Sequence, residues 1–428
     1  MYISLPDRNA RRTAPRSAVP ATRVSSVVVT LGIVSMLTDI SSESVASILP
    51  LYITGALGLS TIAYGFIDGI YQGVSAVVRI GGGWASDRAD RPKWVALFGY
   101  GVSALAKVWL LFATGFAAIA SVIAIDRLGK GVRTAPRDAL ITVSSDDSNL
   151  GRSFGVHRML DTVGAAVGPL LAFVILYFLP SGYHLIFIVS LACATVGVIL
   201  LALLVPGRRP RRESATTGAA ARPFRWRALA EPRLRRLVLA AGVFAVLTVG
   251  DGFIYLVLQA RSPFAAVWFP LLYVGTNVAF FVFAVPFGRL ADRVGRTRMF
   301  VLGHCGLLAA YACAALPVGG AAITIACLVL LGAFYAATDG VLAALAGEFT
   351  PRDGTASGIA VAQTVVALGR LLGSTGFGFL WFAVGSQLAM TIVGVALAVA
   401  IPTVLLALRP TMGARTPLET PPSKGPLA

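Results

Sequence analysis

Residues 83–93 read GWASDRADRPK, and residues 288–298 read GRLADRVGRTR. Glycine, aspartate, arginine and the closing basic residues follow in the same order, with Gly83 and Gly288 standing 205 positions apart. Each copy lies between two long apolar runs. An aspartate among arginines in a short turn between apolar runs is typical of a cytoplasmic hairpin between membrane helices. The repeat therefore predicts a chain built from two related halves.

The composition is that of a protein that crosses the membrane many times. Of the 428 residues, 57% are hydrophobic and 13% are charged, and the mean hydropathy is +0.80. A soluble domain is about a quarter charged, and a membrane helix needs about 20 mainly apolar residues. We predict twelve spans, at 25–51, 61–85, 94–114, 117–137, 153–179, 184–205, 236–259, 264–287, 299–316, 320–346, 356–383 and 387–408.

Lysine and arginine occupy alternate connections between these spans. They precede span 1, follow spans 2, 4, 6, 8 and 10, and end the chain, whereas the other connections carry almost none apart from Arg261. This pattern predicts a multi-pass protein of the bacterial plasma membrane with both termini in the cytoplasm. Because the formal charge of +17 follows topology, we expect a lipid bilayer and no nucleic acid as partner. We expect a monomer.

The 205-residue offset extends beyond the two hairpins. Gly164 and Gly168 in span 5 correspond to Gly369 and Gly373 in span 11. Repeated halves of this kind predict an all-α membrane protein with two pseudo-symmetric bundles of six helices. The expected parts are a cytoplasmic tail at 1–23, a bundle at 24–205, a cytoplasmic linker at 206–235, a bundle at 236–408 and a tail at 409–428.

The two hairpins resemble those of the major facilitator superfamily of secondary transporters. The family's loop between spans 2 and 3 reads Gly-x-x-x-Asp-Arg-x-Gly-Arg with basic residues after it, and a second copy often follows span 8. Copy two has the second glycine as Gly295, whereas copy one has Asp90 there. The resemblance covers Val24 to Leu408 and implies twelve helices around a central cavity, alternating access and a small-molecule substrate.

The resemblance also implies a latch that holds the cytoplasmic side closed. Its expected residues are Gly83, Asp87, Arg88, Arg91, Asp138, Gly288, Asp292, Arg293 and Arg296. Asp138, at the end of span 4, is the expected partner of Arg88 or Arg91.

Span 5 contains GAAVGPLLA at residues 164–172. It resembles the Gly-x-x-x-Gly-Pro-x-x-Gly motif of the drug:proton antiporter branch, with Ala172 in place of the last glycine. Gly164 and Gly168 form a smooth face for close helix contact, and Pro169 bends the helix. Two further stretches, Asp39-x-x-x-Glu43 with Pro50 after it and residues 126–138, resemble a subgroup of uncharacterised bacterial permeases.

Ionisable residues within spans are costly and usually functional. They predict a cavity for proton coupling and substrate, formed by Asp39, Glu43, Asp68, Asp126, Arg127, Lys130, Asp161, Asp251 and Asp339. Asp39 and Arg127 lie halfway along spans 1 and 4, which line the cavity in this superfamily, so we expect them to pair. With Glu43 they would form the coupling core. The alternative is a static ion pair between helices.

Most of these charges belong to the first half, which predicts that it carries ion coupling while the second half shapes the cavity with aromatic and amide groups. The leading hypothesis is proton-coupled efflux of a small organic molecule. One alternative is a proton-coupled importer of an anionic metabolite, favoured by the cations Arg79, Lys107, Arg127, Lys130 and Arg158. Another is a membrane receptor or scaffold without flux.

Enzyme activity is not expected. The sequence lacks an ATPase motif, metal-ligand spacing and a nucleophile–base pair, and its four cysteines lie in apolar runs. We therefore expect no cofactor and no metal.

Overall fold

The structure is a computed structural model that describes residues 24–89, 91–146, 149–207, 231–261, 264–316, 319–350 and 355–412. For residues 79–89, 356 and 410–412 it describes the backbone alone. Within these ranges the chain folds into α-helices with a few short turns and no β-strand. The predicted all-α class is confirmed.

The described residues of the first bundle form six long helices. They are α1 (Ser26–Leu51), α2 (Thr61–Ala89), α3 (Pro92–Leu110), α4 (Gly115–Val143), α5 (Leu150–Phe178) and α6 (Tyr183–Leu204). A π-helical turn, Tyr52–Ala56, extends α1. Because each helix reverses direction, α1 begins and α2 ends on one face of the bundle, which we call the basic face after the predicted basic connections. The other face, where α1 ends and α2 begins, is the opposite face.

The second bundle contains seven helices in six crossings. They are α7 (Pro232–Val246), α8 (Asp251–Arg261), α9 (Phe269–Val294), α10 (Arg296–Ala315), α11 (Ala321–Glu348), α12 (Thr355–Val384) and α13 (Ser386–Met412). The predicted span at 236–259 corresponds to one crossing, Pro232–Arg261, which is interrupted between Val246 and Asp251 and so forms α7 and α8. The predicted linker at 206–235 lies mostly outside the described residues.

Length and apolar composition alone identify nine of the twelve described crossings as membrane spans. The other three are α2, α3 and α4, which place ionisable side chains inside the protein: Asp68, Lys107 and Asp126 are each at most 8% exposed. Charges buried among helices lower the hydropathy of a span without exposing it to lipid.

The helix contacts repeat at the 205-residue offset. In α5, a Cβ atom added to Gly168 would lie 2.8 Å from the backbone N of Ser44 in α1. In α12, a Cβ atom added to Gly373 would lie 3.1 Å from the carbonyl carbon of Val246 in α7. In both bundles a glycine face therefore lets the fifth crossing approach the backbone of the first, as predicted for two pseudo-symmetric halves.

The two bundles contact each other toward the opposite face. Glycines of α2 cross glycines of α12 at backbone distance: a Cβ atom on Gly65 would lie 3.0 Å from the Cα atom of Gly378. Nearby, Thr61 donates a hydrogen bond to the carbonyl of Gly378 at 3.2 Å. Between α5 and the turn before α9, the rings of Phe173 and Trp268 lie 5.2 Å apart. These contacts seal one end of the space between the bundles.

Candidate substrate cavity

A cavity of about 450 Å³ lies between the bundles. Helices α1, α2 and α5 line it from the first bundle, and α8, α9, α11 and α12 from the second. Its ionisable and amide lining residues, among those described, are Glu43, Asp68, Gln72, Arg158, Asp251, Asn277, Asp339 and Arg370. Arg158 and Asp339 are 58% and 50% exposed and lie in the halves of α5 and α11 nearer the basic face, so the cavity opens in that direction.

An aromatic cluster closes the other end of the cavity. The ring of Tyr64 in α2 lies 4.7 Å from that of Phe253 in α8. Phe253 in turn contacts Phe377 and Trp381 of α12, with ring centroids 5.0 and 5.7 Å away. Tyr64 belongs to the first bundle, whereas Phe253, Phe377 and Trp381 belong to the second. This cluster therefore separates if the bundles move apart on the opposite face.

The break between α7 and α8 places Asp251 at the cavity wall. The free backbone groups of the break are satisfied by Tyr311 of α10, whose hydroxyl accepts from the N–H of Val249 at 2.7 Å and donates to the carbonyl of Leu247 at 2.9 Å. Backbone groups released from a helix inside a membrane need such partners. Interrupted helices at mid-membrane are common at transporter binding sites. The Gly-Asp-Gly sequence at 250–252 is the feature from which this break could have been predicted.

The second bundle supplies charge to the cavity as well as the expected aromatic and amide groups. Tyr335 of α11 donates a hydrogen bond to the Asp251 Oδ1 atom at 2.7 Å. Arg370 of α12 lies 3.7 Å from the Asp339 carboxylate, and its guanidinium lies 5.5 Å from the centre of the Tyr335 ring. No role for Arg370 or Tyr335 was predicted from the sequence.

Asp68 links the bundles. It belongs to α2 and accepts a hydrogen bond at 2.6 Å from the Ser374 hydroxyl of α12. Its Oδ2 atom also lies against Gly250, where an added Cβ would collide with it. The contact with Ser374 can exist only while α2 and α12 are close.

The predicted pair between Asp39 and Arg127 is wrong. Arg127 binds its neighbour Asp126 through Nε at 3.1 Å, and the Lys107 ammonium of α3 lies 3.4 Å from the same carboxylate. These three side chains are at most 3% exposed. Asp39 instead lies 3.6 Å from the Lys130 ammonium, one helical turn further along α4. Similar depth in two helices did not determine which side chains face each other.

Arg127 nevertheless reaches the cavity wall through another residue. Its guanidinium lies 4.0 Å from the centre of the Tyr71 ring in α2. The Tyr71 hydroxyl donates to the Glu43 Oε1 atom at 3.3 Å, and both Tyr71 and Glu43 line the cavity. A chain of contacts therefore joins the buried Asp126 cluster to the cavity. Nothing in the sequence indicates this role of Tyr71, apart from its position in an apolar span.

The nine predicted cavity residues fall into two groups. Glu43, Asp68, Asp251 and Asp339 line the cavity. The other five take part in ion pairs within one helix or between helices: Asp39, Asp126, Arg127, Lys130 and Asp161. Asp161 lies 3.2 Å from Arg158 and 3.9 Å from Arg137.

The second copy of the repeated hairpin forms an ion-pair cluster. Arg296 lies 3.2 Å from Asp292 and 3.3 Å from Glu348 at the end of α11. Gly295, between α9 and α10, has φ +104°, a conformation that glycine adopts without strain. Gly288 has open space around it, and Arg293 is exposed.

The first copy of the hairpin is only partly described. For Gly83, Asp87 and Arg88 the structure describes the backbone alone, as it does for Arg79. Arg91 is exposed before α3. Asp138 pairs with the adjacent Arg137 at 3.0 Å, and not with Arg91.

In α5, the predicted glycine face contacts α1. A Cβ atom on Gly164 would lie 2.9 Å from the Met36 Cα atom, and Pro169 is buried within the helix.

The family model described as Major Facilitator Superfamily matches residues 31–277 and 262–427. A protein of Methanocaldococcus jannaschii, described as an uncharacterized MFS-type transporter, is 27% identical over 84% of this chain and 91% of its own length. An uncharacterized protein of Mycobacterium tuberculosis is 28% identical over 70% of this chain and 73% of its own.

Solved transporter structures share the fold. A nucleoside transporter, NupG, superposes with a TM-score of 0.76 at 14% identity, covering 90% of this chain and 100% of its own. A POT family transporter solved with 5-aminolevulinic acid gives 0.75 at 14% identity, with coverages of 91% and 97%. A bacterial homolog of the human lysosomal transporter Spinster, solved inward-facing and unoccupied, gives 0.71 at 16% identity, with coverages of 90% and 96%.

Proposed function

Because the chain belongs to the Major Facilitator Superfamily, we propose that this membrane transporter exports a small organic molecule in exchange for protons. The cavity between the bundles carries the proposal. It is lined by ionisable groups of both halves and sealed at one end by contacts between the bundles. Loading and release then need only a relative movement of two rigid bundles.

The crossing of α2 and α12 is the proposed site of that movement. Glycines let the two helices touch on the opposite face, and the Asp68–Ser374 hydrogen bond and the Tyr64–Phe253 contact lie beside them. In the alternate state these contacts separate and the basic face closes. The Asp292–Arg296–Glu348 cluster and the first hairpin are the proposed latch of that closed basic face.

Asp39, Glu43 and Arg127 are the proposed coupling residues, although not as the direct pair expected from the sequence. Asp39 has Lys130 as its cation, while Arg127 acts on Glu43 through Tyr71. The protonation of a buried carboxylate depends on whether its cation is close. A shift of α4 against α1 and α2 would change both distances and so link proton binding to bundle movement.

Efflux is supported by the glycine–proline sequence of α5, which contacts α1 closely at Gly164 and Gly168. It fits a cavity that opens toward the basic face, which we place in the cytoplasm of a bacterial cell together with both termini. Import of an anionic metabolite finds less support, because Lys107, Arg127 and Lys130 are not among the described lining residues. We propose that the monomer in its bilayer is sufficient for transport.

The proposal is tested by comparing metabolites in cells and medium with and without the protein, then following proton movement in vesicles. A matched pair of variants tests the mechanism. Gly378→Val puts a branched side chain where an added Cβ lies 2.6 Å from the carbonyl of Thr61, whereas Gly376→Val faces open space. We expect Gly378→Val to lose transport and Gly376→Val to keep it.

Size-exclusion profiles in detergent check that both variants fold. Equal transport by two folded variants would contradict the proposed crossing. Absence of any metabolite difference and of any proton movement with the wild-type protein would contradict the transport function itself.

A further inference from the structure

The charge of the cavity is unbalanced in favour of carboxylates. Its described lining holds Glu43, Asp68, Asp251 and Asp339, against two guanidinium groups. Both guanidinium groups already have a carboxylate partner: Arg370 lies 3.7 Å from Asp339, and Arg158 lies 3.2 Å from Asp161, which is outside the lining.

Among the described residues, neutral side chains donate hydrogen bonds to the three remaining carboxylates. Tyr71 donates to Glu43 at 3.3 Å, Ser374 donates to Asp68 at 2.6 Å, and Tyr335 donates to Asp251 at 2.7 Å. Within the described part of the chain, none of the three has a basic side chain within 4.0 Å. An unpaired carboxylate charge away from water is costly, so a bound cation that pairs with these groups is favoured.

Tyrosine rings surround these carboxylates. Tyr64 and Tyr71 line the cavity from the first bundle, and Tyr255, Tyr273 and Tyr335 from the second. An aromatic face attracts an ammonium group within about 6 Å of its centre, by about 0.5–2 kcal/mol. Carboxylates set among tyrosine faces, with no free lysine in the described lining, suit a cation much better than an anion.

We propose that the cavity binds an organic ammonium cation, with Asp251 as its principal carboxylate and Glu43 and Asp68 across the cavity. The proposal rests on the transport function above and specifies its substrate class. The cation would pair with these carboxylates in the cavity, while the Asp39–Lys130 pair couples its exchange to proton movement as proposed above. The cavity volume of about 450 Å³ suits a molecule with a polar body as well as an amine.

The test uses the full chain, in detergent for binding and in proteoliposomes for transport. The probe is a polar metabolite extract of the host cells, separated by electrophoresis into cationic, zwitterionic, neutral and anionic fractions. Binding is read as a rise in the thermal unfolding midpoint, and transport as proton movement after the fraction is added.

We expect the cationic fraction alone to stabilise the wild-type protein and to drive proton movement. In Asp251→Asn and Glu43→Gln both responses should weaken. The affinity for the cation should fall by about 10-fold or more, as for loss of a charged hydrogen-bond partner. Asp146→Asn should keep both responses, since this aspartate is exposed in the connection between α4 and α5. Two cavity variants are used so that one folding failure does not remove the test.

The outcomes separate the two proposals. Transport of a zwitterionic, neutral or anionic fraction without the cationic one overturns the ammonium site and leaves transport standing. An undiminished cation response in Asp251→Asn and Glu43→Gln also overturns the site. Stabilisation by the cationic fraction without proton movement supports the site and contradicts proton-coupled transport. No response to any fraction overturns both.

Discussion

Asp126 of the first bundle lies 3.4 Å from Lys107 and is 2% exposed. Asp251 of the second bundle lies on the cavity wall, where the hydroxyl of Tyr335 is its nearest donor. The first bundle thus places much of its charge between its own helices, and the second places its charge at the cavity. The helix contacts do not differ in this way, because glycines at one offset bring the same helices together in both bundles. The two halves have kept the helix contacts in which only glycine fits, while their polar groups have diverged.

The largest effect that distinguishes the bundles is expected for Asp126→Asn. It leaves Lys107 and Arg127 buried without a carboxylate, and removing one partner of a buried pair costs about 3–5 kcal/mol. Thermal unfolding in detergent should show a strongly destabilised protein. In the second bundle, Asp339→Asn removes a half-exposed carboxylate, and its effect on stability should stay below about 1 kcal/mol. Equal losses of stability in the two variants would contradict the proposed difference between the bundles.

A second pair of variants tests what the bundles share. Gly168→Ala and Gly373→Ala each introduce a methyl group against the backbone of a neighbouring helix. Overpacking of this kind costs about 1–3 kcal/mol, so we expect similar losses of stability in the two bundles. Gly376→Ala adds the same atom in open space on α12 and should cost much less. A loss in one bundle only would contradict the repeated contact.

Loss of one tyrosine hydroxyl should have a smaller effect, on substrate half-saturation. Tyr335→Phe removes the donor to Asp251 at 2.7 Å, and Tyr71→Phe removes the donor to Glu43 at 3.3 Å. A hydrogen bond contributes about 0.5–1.5 kcal/mol, which corresponds to weaker binding by about 2–10-fold. Transport at graded substrate concentrations should show the larger change for Tyr335→Phe. An equal or larger change for Tyr71→Phe would contradict the assignment of Asp251, in the second bundle, as the principal carboxylate for the substrate.

The smallest effect on stability is expected at the two hairpins. Asp292 is about half exposed in its pair with Arg296, and exposed ion pairs contribute about 0–1 kcal/mol. Asp292→Asn should therefore leave unfolding nearly unchanged while it lowers the transport rate, and Asp87→Asn should do the same in the first copy. If both variants transport at the wild-type rate, the hairpins only set topology.

Much of the fold could be predicted from the sequence because it depends on apolar length and on one repeated offset. The twelve described crossings correspond to the twelve predicted spans, with ends that differ by a few residues. The break in the seventh was not predicted, although Gly250 and Gly252 on either side of Asp251 favour one. That break depends on Tyr311, which is 62 residues beyond Val249 and satisfies the backbone there.

The site was predicted less well, since it depends on the rotation of each helix about its own axis. Asp39 and Arg127 lie at similar depth, but Arg127 faces Asp126 and Tyr71, while Lys130 faces Asp39. The spacing within one span does not determine which neighbour each side chain meets. The role of Tyr335 beside Asp251 could not be predicted either, because tyrosine is common in apolar spans and the contact joins distant parts of the chain.

The most direct measurement compares Asp39→Asn with Asp251→Asn in proteoliposomes, following substrate exchange and proton movement separately. We expect Asp39→Asn to exchange substrate across the membrane without moving protons, because the Asp39 carboxylate lies in the first bundle's ion pairs. Asp251→Asn should lose both activities, because substrate no longer binds. Proton movement that stays intact in Asp39→Asn, or substrate exchange that stays intact in Asp251→Asn, would contradict the division between the bundles.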